Sequence, residues 1–170
     1  MKKIIFLLCA CITINVYSQS LSDLEKEPAF KGISIGSPIS RYSNFLQFQK
    51  TEGEKTSYII TDPQYLSIFN IKMTKGLVIA KDGKVEAILL AKDYTPGIFN
   101  PKELEVLRSS LSFKYGSPNV NIDDFTGTPI VAGVRWNAST VVLDIAYLFY
   151  GTDMPGSGLR YLLYKRNDDY

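Results

Sequence analysis

The chain has no histidine, and its only two cysteines, Cys9 and Cys11, lie close to the N-terminus. It also lacks a second long apolar run, a low-complexity tract and a net charge of either sign beyond its first residues. Each absence excludes something. "MKKIIFLLCACITINVYSQS" opens with Lys2 and Lys3, continues apolar from Ile4 to Val16, and offers Val16 and Ser18 at the positions preferred before a cut. It reads as a secretory signal peptide over residues 1–18, too short to span a bilayer, with one α+β domain over 19–170. The rival reading takes "LCAC" as a lipobox, which would anchor the protein through Cys11. Either way the expected location is periplasmic or secreted.

After cleavage at Ser18 neither cysteine remains, so no disulfide is expected despite an oxidising destination. With no histidine or cysteine left, the usual zinc and copper sites and Cys-His nucleophiles are excluded. The formal charge of +2 belongs to Lys2 and Lys3; without them basic and acidic residues balance. No basic excess is left to neutralise phosphates, so nucleic acid is not an expected partner. No other run reaches the roughly 20 apolar residues of a membrane helix.

What is present is punctuation and periodicity. Gly-Ser-Pro occurs twice, at Gly36–Pro38 and Gly116–Pro118. Upstream of the second copy, Leu104, Leu107, Leu111 and Tyr115 recur at helical spacing. Asn100 is a cap candidate, Pro101 suits the first helical position, and Glu103 stands where it can reach back to the Asn100 amide. Gly116 then closes the helix and Pro118 prevents its resumption. The first copy reads as a helix entry instead. Ser37 caps, Pro38 starts, and Ile39, Tyr42, Phe45 and Leu46 share a helical face.

Extended segments follow each helix. "SYIIT", "LSIFNIKM", "GLVIAK" and "KVEAILLAK" follow the first, with Asp82-Gly83 as a two-residue hairpin turn. "VAGVRW", "TVVLDIAYLFY" and "LRYLLY" follow the second. In the middle of these, Val141, Leu143, Ile145, Tyr147 and Phe149 fall on one face, with Asp144 and Ala146 opposite. Helix-then-strands, twice, predicts an antiparallel sheet with two helices packed on one face, a degenerate tandem repeat.

Chemistry-bearing motifs are few. "GISIG" (Gly32–Gly36) matches G-x-S-x-G with Ser34 in the nucleophile's place, but the chain holds no histidine to take the serine proton. The stretch reads as a strand turning at Gly36. Asp123-Asp124 and Asp168-Asp169 lack the spacing of a calcium loop and read as solvated acid pairs. Glu103 and Glu105 sit two apart on one helix and cannot face each other as a glycosidase pair does. Glu86 is expected to face water. Asp144 has two open placements: solvent on the open side of the sheet, or half-buried and paired with Arg135 or Arg160. No catalytic residue, metal site or cofactor is expected. The aromatic surplus points instead to contact surfaces, with Tyr94, Trp136, Tyr150, Met154 and Tyr164 as candidate binding residues.

"FKGISIGSPIS", "GKVEAILL", "LRSSLSFKYGSP" and the Trp136-ended strand together resemble small secreted proteins of Gram-negative envelopes. In element order the chain is similar to the β-lactamase-inhibitor-protein-like and outer-membrane-assembly-lipoprotein families, in which helices pack on an antiparallel sheet. The quoted residues are structural punctuation, so the resemblance implies a protein-binding envelope module and transfers no functional residue. The expected function is thus a non-catalytic module holding a protein or cell-wall partner. An inhibitor or immunity protein against a secreted toxin or hydrolase is the alternative, and a hydrolase using carboxylates or a Ser-Lys pair is a third reading.

Overall fold

The computed structural model describes residues 20–94, 101–125, 128–149 and 157–166. A nine-stranded antiparallel sheet dominates them. Its strands are β1 (Leu46–Glu52), β2 (Lys55–Ile60), β3 (Lys75–Lys81), β4 (Lys84–Tyr94), β5 (Val120–Asn121), β6 (Asp124–Phe125), β7 (Thr128–Asn137), β8 (Val141–Phe149) and β9 (Ser157–Lys165). In space the order is β6-β7-β8-β9-β4-β3-β2-β1, with β5 also paired to β7. Two meanders therefore meet at their last strands, β4 and β9, in register from Ser157↔Tyr94 to Tyr164↔Ala87. Two α-helices, α1 (Leu21–Lys26) and α2 (Pro101–Tyr115), complete an α+β fold.

Helix α2 begins and ends where its pattern says. Pro101 opens it, Leu104, Leu107, Leu111 and Tyr115 are buried, and Gly116 follows with φ 78°. The cap at Asn100 lies outside the described residues. The Asp82-Gly83 turn is also as expected: both residues have positive φ, 50° and 71°, the signature of the tight turn whose twist matches paired strands.

The first helix falls elsewhere. Ile39–Tyr42 makes only one 3-10 turn, and the chain is extended again from Leu46 into β1. Ser40, Ser43 and Asn44 favour local backbone bonding over helix. Tyr42 is instead held by its hydroxyl, which donates to Gly32 O (3.2 Å) and accepts from Ser34 N (3.0 Å). Ser37 does not cap; its hydroxyl donates to Ser34 O. The actual first helix, α1, starts where the Asp23 carboxylate accepts from Ser20 N at 3.0 Å, and it buries Leu24. "LSIFNIKM" is likewise no single strand. Phe69 and Asn70, with φ 46° and 65°, fold it into a small hairpin between Ser67–Ile68 and Ile71–Lys72.

On β8, Val141, Leu143, Ile145 and Tyr147 join the main core with Ile88 and Leu90 of β4 and Leu159, Tyr161 and Leu163 of β9. Leu24 of α1 and the buried residues of α2 belong to the same cluster. Each such aliphatic side chain contributes about 1.5–3 kcal/mol through burial. Phe149, expected on this face, is 54% exposed at the strand's end. The alternate residues, Val142, Asp144, Ala146 and Leu148, face the other way, yet they are buried too. Phe125 and Ile122 fold back over Ala146 and Leu148 to make a second, smaller cluster. Gly133 makes room for this return: a Cβ there would lie 2.8 Å from Ile122 Cγ1 and 2.5 Å from Ile130 Cδ1. This second face is thus not bare at β8, contrary to a sheet covered on one side only.

Candidate functional site: a groove on the second sheet face

Beside the Phe125 return, the second face opens into a groove of about 570 Å³. Its floor is apolar, built from Ile79 of β3, Ala87 and Leu89 of β4, Val142 of β8 and Leu162 of β9. Strand alternation places all five on one side, because neighbouring strands hold these residues close to register. A bulge at Glu86, which is skipped between the pairs Ile79↔Ala87 and Ala80↔Val85, tips that carboxylate into the groove. Glu86 is therefore partly buried, with Lys55 Nζ at 4.0 Å, and not a freely solvated residue.

The fixed polar element of the groove is the Arg135–Asp144 pair. The two are directly opposed on β7 and β8. Arg135 Nε donates to Asp144 Oδ1 at 2.7 Å and Nη2 to Oδ2 at 2.9 Å, a bidentate fork. Asp144 is 3% exposed. Of its two open placements it adopts the paired one, and the partner is Arg135; Arg160 instead binds Asp93 at 2.7 Å. Burial pushes the Asp144 carboxyl above its ordinary value, opposed by the hydrogen bonds and charge of Arg135. The guanidinium is pushed up in turn by its bond to Asp144. Tyr164 lies beside them, its phenol raised by burial and then by the Asp144 charge. Asp124, Asn137, Lys165 and Arg166 complete the rim.

The five residues expected to form a contact surface do not come together. Tyr164 lines the groove. Trp136 is fully buried in the main core, and its indole Nε1 donates to Gly116 O at 2.7 Å, docking the end of α2 onto β7. It is an internal brace and offers no surface. Tyr94 packs on the main core with its ring stacked on Tyr147 at 5.7 Å. Its hydroxyl donates to Glu103 of α2, which also takes Lys92 Nζ at 2.6 and 2.8 Å. Burial, followed by the Glu103 contact, holds the Tyr94 phenol well above the usual range. Tyr94 and Tyr164 lie on opposite faces, at opposite ends of the β4–β9 pair. Tyr150 and Met154 lie outside the described residues.

Arg135 was legible only as one possible partner of Asp144, and Lys55, Glu86 and Lys165 carried no signal of a site. They are united only by the run of pairings from β7 through β8, β9, β4 and β3 to β2. Asp123 and Asp124 are both exposed. Among the described residues no group of three or more Asp, Glu, His or Cys is positioned to hold a metal ion, and no helix is long and apolar enough to cross a membrane. No protein-family model, curated protein or solved structure matches the chain.

Proposed function

We propose that the chain is a non-catalytic, protein-binding module of the bacterial envelope. Its two helices cover one face of the sheet, and the groove on the other face receives the partner. The groove itself carries this reading: an apolar floor about 570 Å³ in volume, open to solvent, with one charge pair locked at its wall. Such a site offers contact area and orientation. Its buried carboxylate is fully engaged by Arg135, which suits it to structure and recognition better than to proton transfer.

The test is capture of a partner from an envelope extract of the source organism by immobilised residues 19–170. Wild type is compared with Ile79→Arg in the groove and with Phe113→Arg on α2, a residue 80% exposed. The reading expects a stoichiometric partner retained by wild type and Phe113→Arg and lost with Ile79→Arg. Retention by Ile79→Arg would overturn it, whether or not Phe113→Arg keeps the partner.

A further inference from the structure

The groove's charges select a class of partner, an inference that rests on the binding-module reading above. Four cations line it (Lys55, Arg135, Lys165, Arg166) against three carboxylates (Glu86, Asp124, Asp144). Asp144 is consumed by Arg135, and Glu86 lies 4.0 Å from Lys55. Asp124 is engaged within the chain. The cations are less committed. Both carboxylate bonds of Arg135 use Nε and Nη2, so the Nη1 edge of the guanidinium is unspent among the described residues. Lys165 makes no ion pair among the described residues, and Arg166 spends Nη1 on Ala138 O. Among the described lining residues the surplus is one positive charge beside an apolar floor.

We propose that the groove takes an extended acidic peptide segment of a partner protein. A carboxylate of the peptide meets the Nη1 edge of Arg135 and the Arg166 rim. An apolar or aromatic side chain two residues along, on the same side of the extended peptide, lies over Ala87, Leu89 and Leu162. Planar guanidinium and carboxylate match in geometry, and Asp144 holds the guanidinium in place before the ligand arrives. A polyanion is poorly served, because a single surplus charge releases few counterions. The dimensions agree: Leu162 and Tyr164 on β9 and Arg166 just beyond it follow one another on one side, so floor and rim span about 13 Å, the length of roughly four extended residues.

The test is a titration of ¹⁵N-labelled residues 19–170 with the capped peptide acetyl-Phe-Gly-Asp-Gly-Phe-amide and with its Asn counterpart. The expected result is movement of the amides of Ala87, Val142, Leu162 and Tyr164, with the Asp peptide about tenfold tighter than the Asn peptide. That preference collapses in R135M/D144L, which removes the donor without leaving a buried charge, and is weakened several-fold in Arg166→Gln on an otherwise native spectrum. Equal affinity for both peptides overturns the proposal. So does an undiminished preference in both variants, or no groove shift at about 5 mM peptide, beyond the weak end of specific association. If that happens while Ile79→Arg still abolishes partner capture, the chemistry fails and the binding face stands; if capture also survives Ile79→Arg, both fail.

Discussion

At the scale of single residues, the Arg135–Asp144 pair sets the behaviour of the groove. A buried carboxylate that loses its cation is left uncompensated, so Arg135→Ala should cost about 3–5 kcal/mol in chemical denaturation. R135M/D144L, which replaces both charges with apolar groups, should instead be neutral or stabilising by up to about 4 kcal/mol. The pH dependence follows from the raised folded value of Asp144. In the window above the ordinary carboxylate value, the folded state holds more protons than the unfolded one. The contribution of this group is therefore greatest in acid and declines as pH rises through its folded value. Wild type minus R135M/D144L should show that decline as pH rises above the ordinary carboxylate range; a rise would mean that Arg135 outweighs burial. Alternation along "TVVLDIAY" was enough to place Asp144 opposite Leu143 and Ile145. It did not settle what covers that side, because Phe125 and Ile122 arrive from a segment distant in sequence. Trp136 shows the same limit: an aromatic at a strand end reads as surface until Gly116 is seen to accept its N–H.

Among elements, the two Gly-Ser-Pro copies proved more alike than their flanks suggest. Gly36 and Gly116 both take positive φ, 81° and 78°, and both dock on the sheet. Gly36 N donates to Val85 O at 2.7 Å, at the start of β4, while Gly116 O accepts from Trp136 on β7. Helix α2 was legible because its apolar spacing and its stop agree over four turns. The stretch from Pro38 was not, because Ile39, Tyr42, Phe45 and Leu46 fit a helical face and equally fit one 3-10 turn leading into a strand. Pairing of β1 with β2 and the stacking of Phe45 on Tyr65, 4.1 Å between centroids, favour the latter. Gly133→Ala should force Ile122 and Ile130 away from the sheet, destabilising by about 1–3 kcal/mol. Phe125 should become more accessible as that return loosens, which fluorescence of an apolar dye bound at the widened groove would report. An unchanged stability would mean that the return does not pack on β7.

At the scale of the whole molecule, the sheet joins two meanders through β4 and β9, and the main core runs across that seam. Ile88 and Leu90 share the core with Leu159 and Leu163, so neither meander can open without exposing the other's apolar face. Thermal unfolding followed by Trp136 fluorescence, in one meander, and by far-ultraviolet dichroism, over both, should coincide in one transition. Two separated transitions would show that the seam does not couple the halves. Antiparallel strands, fold class and the helix between the meanders were all readable from local pattern. The strand order and the groove were not, since both depend on which strands become neighbours.

The most direct test of a second-face binding site is methyl NMR of Ile-, Leu- and Val-labelled protein bound to the partner it captures. Shifts are expected at Ile79, Leu89, Val142 and Leu162, with Leu104, Leu107 and Leu111 of α2 unmoved. Shifts confined to the α2 methyls would contradict it.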